Sequence, residues 1–138
     1  MNYLKQSTAS QSRVLGSFVD DTDFVTLETG LTIANTDVKL LKNGAASVNK
    51  NSGGGTHRVN GIYSFTFDAT DTDTVGELHV SIKVAGALHV WKNFIVVEEA
   101  VYDALFAASA KMDVNVLNIN DQVITGDGSG GDPFQGAA

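Results

Sequence analysis

Histidines, clustered aspartates, a glycine-rich stretch and a serine among glycines are the residues of this chain whose types could carry chemistry. His79 and His89 could offer imidazole nitrogens to a metal. If their segments form a hairpin turning at Ala85-Gly86-Ala87, residues facing each other across it sum to 172, which sets Trp91 opposite Ser81, His89 opposite Lys83 and Asn93 opposite His79. The two imidazoles then lie about four residues, or roughly 13 Å, apart at strand rise, too far for one ion to bridge. Ordinary surface histidines are the better reading. Asp20-Asp21-Asp23 and Asp68-Asp71-Asp73 could supply oxygen ligands to Ca²⁺. Neither follows an EF-hand loop, and such Asp/Thr turns recur because their side chains bond nearby backbone amides.

The glycine stretch Asn51-Ser52-Gly53-Gly54-Gly55-Thr56 lacks the Lys-Ser/Thr of a phosphate loop and leads into no helix. It reads as a flexible hairpin loop. Asp127-Gly128-Ser129-Gly130-Gly131 is not the G-x-S-x-G of a hydrolase, and a mobile tail could not hold the base and oxyanion donors that acyl transfer needs. Cysteine is absent, which removes thiolate nucleophiles, disulfides and thiolate–zinc sites. Sugar binding would draw on Trp91, Tyr63 and Tyr102, but Tyr63 falls in the core pattern and Tyr102 on a helix, so no aromatic platform emerges. Enzymatic activity is not expected, and no catalytic residue, cofactor or metal is assigned.

The elements that must position these residues centre on 61–97, three consecutive strands. Tyr63, Phe65 and Phe67 alternate with Ser64, Thr66 and Asp68; Leu78, Val80, Ile82 and Val84 alternate with His79, Ser81 and Lys83. A period of two excludes an amphipathic helix. In the third strand Leu88, Val90, Lys92, Phe94 and Val96 are the more apolar set, so they point inward and Trp91 outward. Further short apolar runs at 12–19, 31–34, 37–41 and 45–48 bring the count to about seven, separated by turn residues at the spacing of an antiparallel β-sandwich; a closed barrel is the nearest competitor. The expected core is Tyr63, Phe65, Phe67, Leu78, Val80, Ile82, Val90 and Phe94.

Around this domain (12–97) the sequence suggests an N-terminal arm at 1–11, a short helix within 98–110 and an extended, acidic, Gly-rich arm at 111–138. Acids at Glu98-Glu99 suit the first turn of the helix, whose Val101, Leu105 and Phe106 need something to dock on. Through Val97 eight Lys/Arg face nine Asp/Glu; from Glu98 onward one Lys faces seven acids. A neutral body with an acidic tail lacks the basic footprint of a nucleic-acid binder and suits a basic patch on a protein partner. With net charge −7, 18% charged residues and a mean hydropathy of +0.01, the chain reads as neither disordered nor membrane-spanning. Its start lacks the apolar segment of a signal peptide, so it is expected to stay on the cytoplasmic side where it is made. The arms are expected to be ordered by neighbouring subunits.

The segments YLKQSTASQSRVLGSFVDDTD, ETGLTIANTDVKLLKNG, KNSGGGTHRVNGIYSFTFDATDTDTVGELHVSI and GALHVWKNFIVVEEAVYDALF cover most of 3–106. In them the chain resembles small virion proteins of tailed bacteriophages and prophages. The resemblance implies an Ig-like sandwich module of the particle, found on heads and on tails, made in the host cytoplasm and residing in the virion. The tail after the module is short, so no large fibre or receptor-binding domain is expected. Together with the sandwich and its arms, this points to a capsid decoration or cement protein bound to the major capsid protein; a tail, collar or baseplate adaptor holding a fibre is the alternative, and a host-attachment sugar-binding module a distant one. A homo-oligomer is expected, a trimer suiting a capsid symmetry axis. The expected interface residues are Trp91, His89, Val101, Leu105, Phe106, Val114, Val116 and Phe134.

Overall fold

Alternation of apolar and polar side chains gives each central strand one face to bury, and two such sheets stacked face to face bury both. The computed structural model, which describes residues 2–107, 118–119, 122–126 and 129–136, has this arrangement. In chain order the strands are β1 (Tyr3–Lys5), β2 (Gln11–Leu15), β3 (Val38–Lys42), β4 (Val48–Asn49), β5 (Gly55–Val59), β6 (Ile62–Phe67), β7 (Gly76–Ile82) and β8 (Val90–Val97), followed by helix α1 (Glu99–Phe106). One sheet has the order β1-β8-β7-β3-β4 and the other β2-β6-β5. The fold is all-β with one short helix, and its two separate sheets do not close into a barrel.

The core lies between the sheets. Tyr63, Phe65 and Phe67 from β6 meet Leu78, Val80 and Ile82 from β7, Phe94 and Val96 from β8, and Val38 and Leu40 from β3. Each large side chain so buried contributes about 1.5–3 kcal/mol. The β7–β8 register is the predicted one, with Ser81 opposite Trp91 and His79 opposite Asn93. Val90 is only partly buried and Leu88 is exposed, because the connection between the strands spans seven residues rather than three.

Several expectations are corrected. The supposed N-terminal arm contains β1, paired in parallel with β8, and Leu4 is fully buried. Three residues are too few for a period to register; the strand exists because β8 offers an edge. The buried side chain of Gln11 ties it down, accepting from Lys5 N (2.7 Å) and donating to Lys5 O (2.9 Å). The predicted strand at 31–34 contributes only a bridge at Ile33, since the phenol of Tyr63 takes the bond from Leu31 N and donates to Glu28 O.

The glycine stretch is a connection only as far as Gly54, for Gly55 begins β5. A Cβ at Gly54 would stand 1.5 Å from Ile33 O, and one at Gly55 2.8 Å from the Phe65 ring, so these glycines permit a close backbone approach. Within 111–138, β9 (Asn118–Ile119), β10 (Gln122–Thr125) and β11 (Gln135–Gly136) form a small antiparallel sheet. The turn between Ser129 and Asp132 brings β11 back along β10.

Candidate functional site: an exposed apolar face and a rigid loop

Odd-numbered residues of β8 point away from the core, so Trp91, Asn93 and Ile95 line the outer face of the five-stranded sheet. Trp91 is 58% exposed and points outward. His79 stacks on its indole at 5.6 Å and holds Asn93 Oδ1 through Nδ1 at 2.5 Å. His89 Nε2 meets Ser81 Oγ at 2.6 Å. Each histidine is thus engaged by a neighbour on the sheet, and among the described residues no three His, Cys, Asp or Glu side chains gather as a metal site.

Tyr3 pairs with Ile95 and carries the face onto β1, where it meets Phe106 of α1 at 5.9 Å. The helix lies within the predicted range, ends at Phe106 and fully buries none of its residues. It is tied to β1 by Lys5, whose Nζ lies 3.2 Å from Glu99 and 2.9 Å from Asp103. The bond to Asp103 leads in raising the Lys5 pKa above its ordinary value. Val101, Leu105 and Phe106, expected to dock, stay exposed. Tyr3, Ile95 and Phe106 therefore form an apolar patch where β1 meets α1, while Val101 and Leu105 are exposed on the helix face turned away from β1. Phe134 is also exposed, beside the small C-terminal sheet, and Val114 and Val116 lie outside the described residues.

A second exposed feature escaped the sequence reading. In loop 20–28, Asp20 Oδ1 accepts from Thr22 N (2.7 Å), Asp23 N (3.0 Å) and the Thr22 hydroxyl. Asp23 Oδ1 accepts from Val25 N and Thr26 N (both 2.9 Å), and Oδ2 from the Thr26 hydroxyl. Asp20 N–Thr26 O, Asp21 N–Gly86 O and Leu88 N–Val19 O fasten the loop to itself and to the β7–β8 connection. The Thr22 hydroxyl leads the bonds that pull the Asp20 carboxyl down to about 2, and the Thr26 hydroxyl those that lower Asp23; the Asp20 contact raises Glu28. At the tip Phe24 and Val25 are 65% and 78% exposed, and Phe24 sits at φ 59°. The signal available beforehand was an apolar pair inside an Asp/Thr cluster.

Beside Trp91 a cleft of about 260 Å³ opens between the sheets, lined by Val14, Leu15, Gly16, Ile62, Trp91 and Lys92. It exists because β1 pairs with β8 only from Ile95 onward, leaving the Trp91 half of that edge without a strand. A polar cleft on the outer face of the three-stranded sheet is lined by Ser64, Thr66, Thr56, Arg58 and Asp68, among others. Among the described residues, no helix is long and apolar enough to cross a membrane. No protein-family model matches the chain, and comparison with curated proteins and with solved structures finds no significant similarity.

Proposed function

We propose that this chain is a structural subunit of a tailed-bacteriophage particle, an Ig-like sandwich seated on the capsid surface as a decoration protein and acting by binding neighbouring subunits. The observation that carries the reading is the exposed apolar helix α1, with Val101 and Leu105 uncovered on one face and Phe106 meeting Tyr3 and, through its strand pair, Ile95 on the other. A helix that fully buries none of its residues, held by ion pairs at one edge, is a poor investment of chain order unless a partner covers it. Two aromatics within such a surface supply the anchors that protein interfaces favour. Many identical copies on one shell would turn modest single contacts into firm attachment.

Quantitative mass spectrometry of intact particles tests it. Copy number should scale with the capsid subunits; scaling with the rotational symmetry of the tail would indicate the collar or baseplate adaptor instead. Val101→Lys with Leu105→Lys should lower occupancy on the particle while leaving the thermal unfolding of the sandwich unchanged. Absence from the particle, or undiminished occupancy of the variant, would overturn the proposal.

A further inference from the structure

We infer that loop 20–28 and the Trp91 cleft are two halves of one self-association site: the Phe24–Val25 tip of each copy enters the cleft of a second copy. The tip is apolar, exposed and immobilised, and Phe24 is held in a left-handed conformation that aromatic residues avoid. Rigidity of this kind lowers the entropy lost on docking. The cleft has room for one aromatic side chain and is lined by Val14, Leu15, Gly16 and Ile62 and by β8 at Trp91 and Lys92.

Charge distinguishes this partner from an arbitrary one. The tip is collared by Asp20, Asp21 and Asp23, whereas the cleft carries Lys92. The ammonium of Lys92 lies 3.4 Å from Val14 O and 5.5 Å from the Phe94 ring centre, and among the described residues no carboxylate pairs with it. An apolar knob with an acidic collar thus has, within a single chain, a cleft that carries a cation which no carboxylate among the described residues pairs. Gly16, a wall of the cleft, leads through buried Phe18 directly into the loop, so both features share one end of the sandwich. Two copies related by a two-fold axis there can exchange tips reciprocally, as an isologous interface requires.

Sedimentation of the full-length chain over a concentration series decides the matter, independently of whether the protein sits on a particle. The wild type should form pairs, and Phe24→Ser and Trp91→Ala should each weaken pairing by about tenfold or more. Mixing the two variants should recover mixed pairs, because one intact tip then faces one intact cleft. Lys92→Glu should weaken pairing while Lys92→Arg preserves it, which keeps the test sharp if Trp91→Ala disturbs folding. A wild type that stays monomeric throughout, variants that pair as the wild type does, or a mixture that recovers nothing would each overturn the inference.

Discussion

Two aspartate clusters with nearly the same local chemistry come to opposite ends in this molecule. In loop 20–28, Asp20 and Asp23 collect backbone amides and threonine hydroxyls, and the loop so built pushes Phe24 and Val25 into solvent. In 68–73, Asp68 Oδ1 collects the amides of Thr70 and Asp71 in the same way, yet the loop turns inward. Asp71 and Lys50 are each 1% exposed, their charges 3.7 Å apart. Lys50 also donates to Ser52 O and lies over the Phe67 ring, and Asp71 accepts from Asn51 N (2.8 Å) and Asp68 N (3.0 Å). Similar turns thus serve as a presenting frame at one site and as a structural joint at the other. Burial, not the turn, makes the difference.

The largest effect should come from the joint. Asp71→Ala strips Lys50 of its counter-charge and two amides of their acceptor, and should cost about 3–5 kcal/mol in urea unfolding. A loss below that of an ordinary surface substitution, about 0.5 kcal/mol, would erase the contrast between the loops. Asp20→Ala should be milder globally but should speed hydrogen exchange at Thr22 and Asp23 while leaving 68–73 protected.

Phe24→Gly should have the smallest effect on stability. Relief of the left-handed strain, worth about 1–2 kcal/mol, is opposed by about 0.5–1 kcal/mol of added chain entropy, so the variant should unfold no earlier than the wild type. Earlier unfolding would mean that the tip supports the fold rather than a contact.

Acid titration sharpens the comparison further. The Asp20 carboxyl is depressed to about 2 by the Thr22 hydroxyl and the amides of Thr22 and Asp23, so its stabilising contribution is complete above the ordinary carboxylate pKa and fades as pH falls toward 2. Glu28, raised by its Asp20 contact, works in the reverse sense: its contribution is present in acid and is lost as pH rises past its elevated pKa. At Asp68 burial pushes upward, but the bonds from Asn51 and the Asp71 and Thr70 amides outweigh it and leave the group lowered. Carboxyl NMR shifts should place the Asp20 midpoint near 2, and Thr22→Val should move it upward; an unmoved midpoint would discard the hydroxyl as its cause.

How far the fold was legible follows from where the period of two could be read. Along 61–97 the alternation is long enough to assign faces, and the hairpin register and the outward Trp91 came with it. Tyr3-Leu4-Lys5 is too short to show a period, and Thr56-His57-Arg58-Val59 is masked by the glycines before it, so β1 and β5 were missed. The α1 contribution to the candidate face was legible in its apolar residues, but their exposure was not: apolar spacing implies a buried side, and the structure instead attaches the helix through Lys5. The cleft could not be anticipated, because it follows from the difference in length between β1 and β8.

Side-chain alternation by itself determined that this chain is mostly β, which faces of β6, β7 and the Phe94 end of β8 are core, and which way Trp91 points. Those properties are set by neighbours one or two positions away. Only the tertiary structure decided that one aspartate turn displays Phe24 while the other buries Lys50, and that a strand edge is left open beside Trp91. Such outcomes depend on which distant segments share a surface, and local composition carries no record of that.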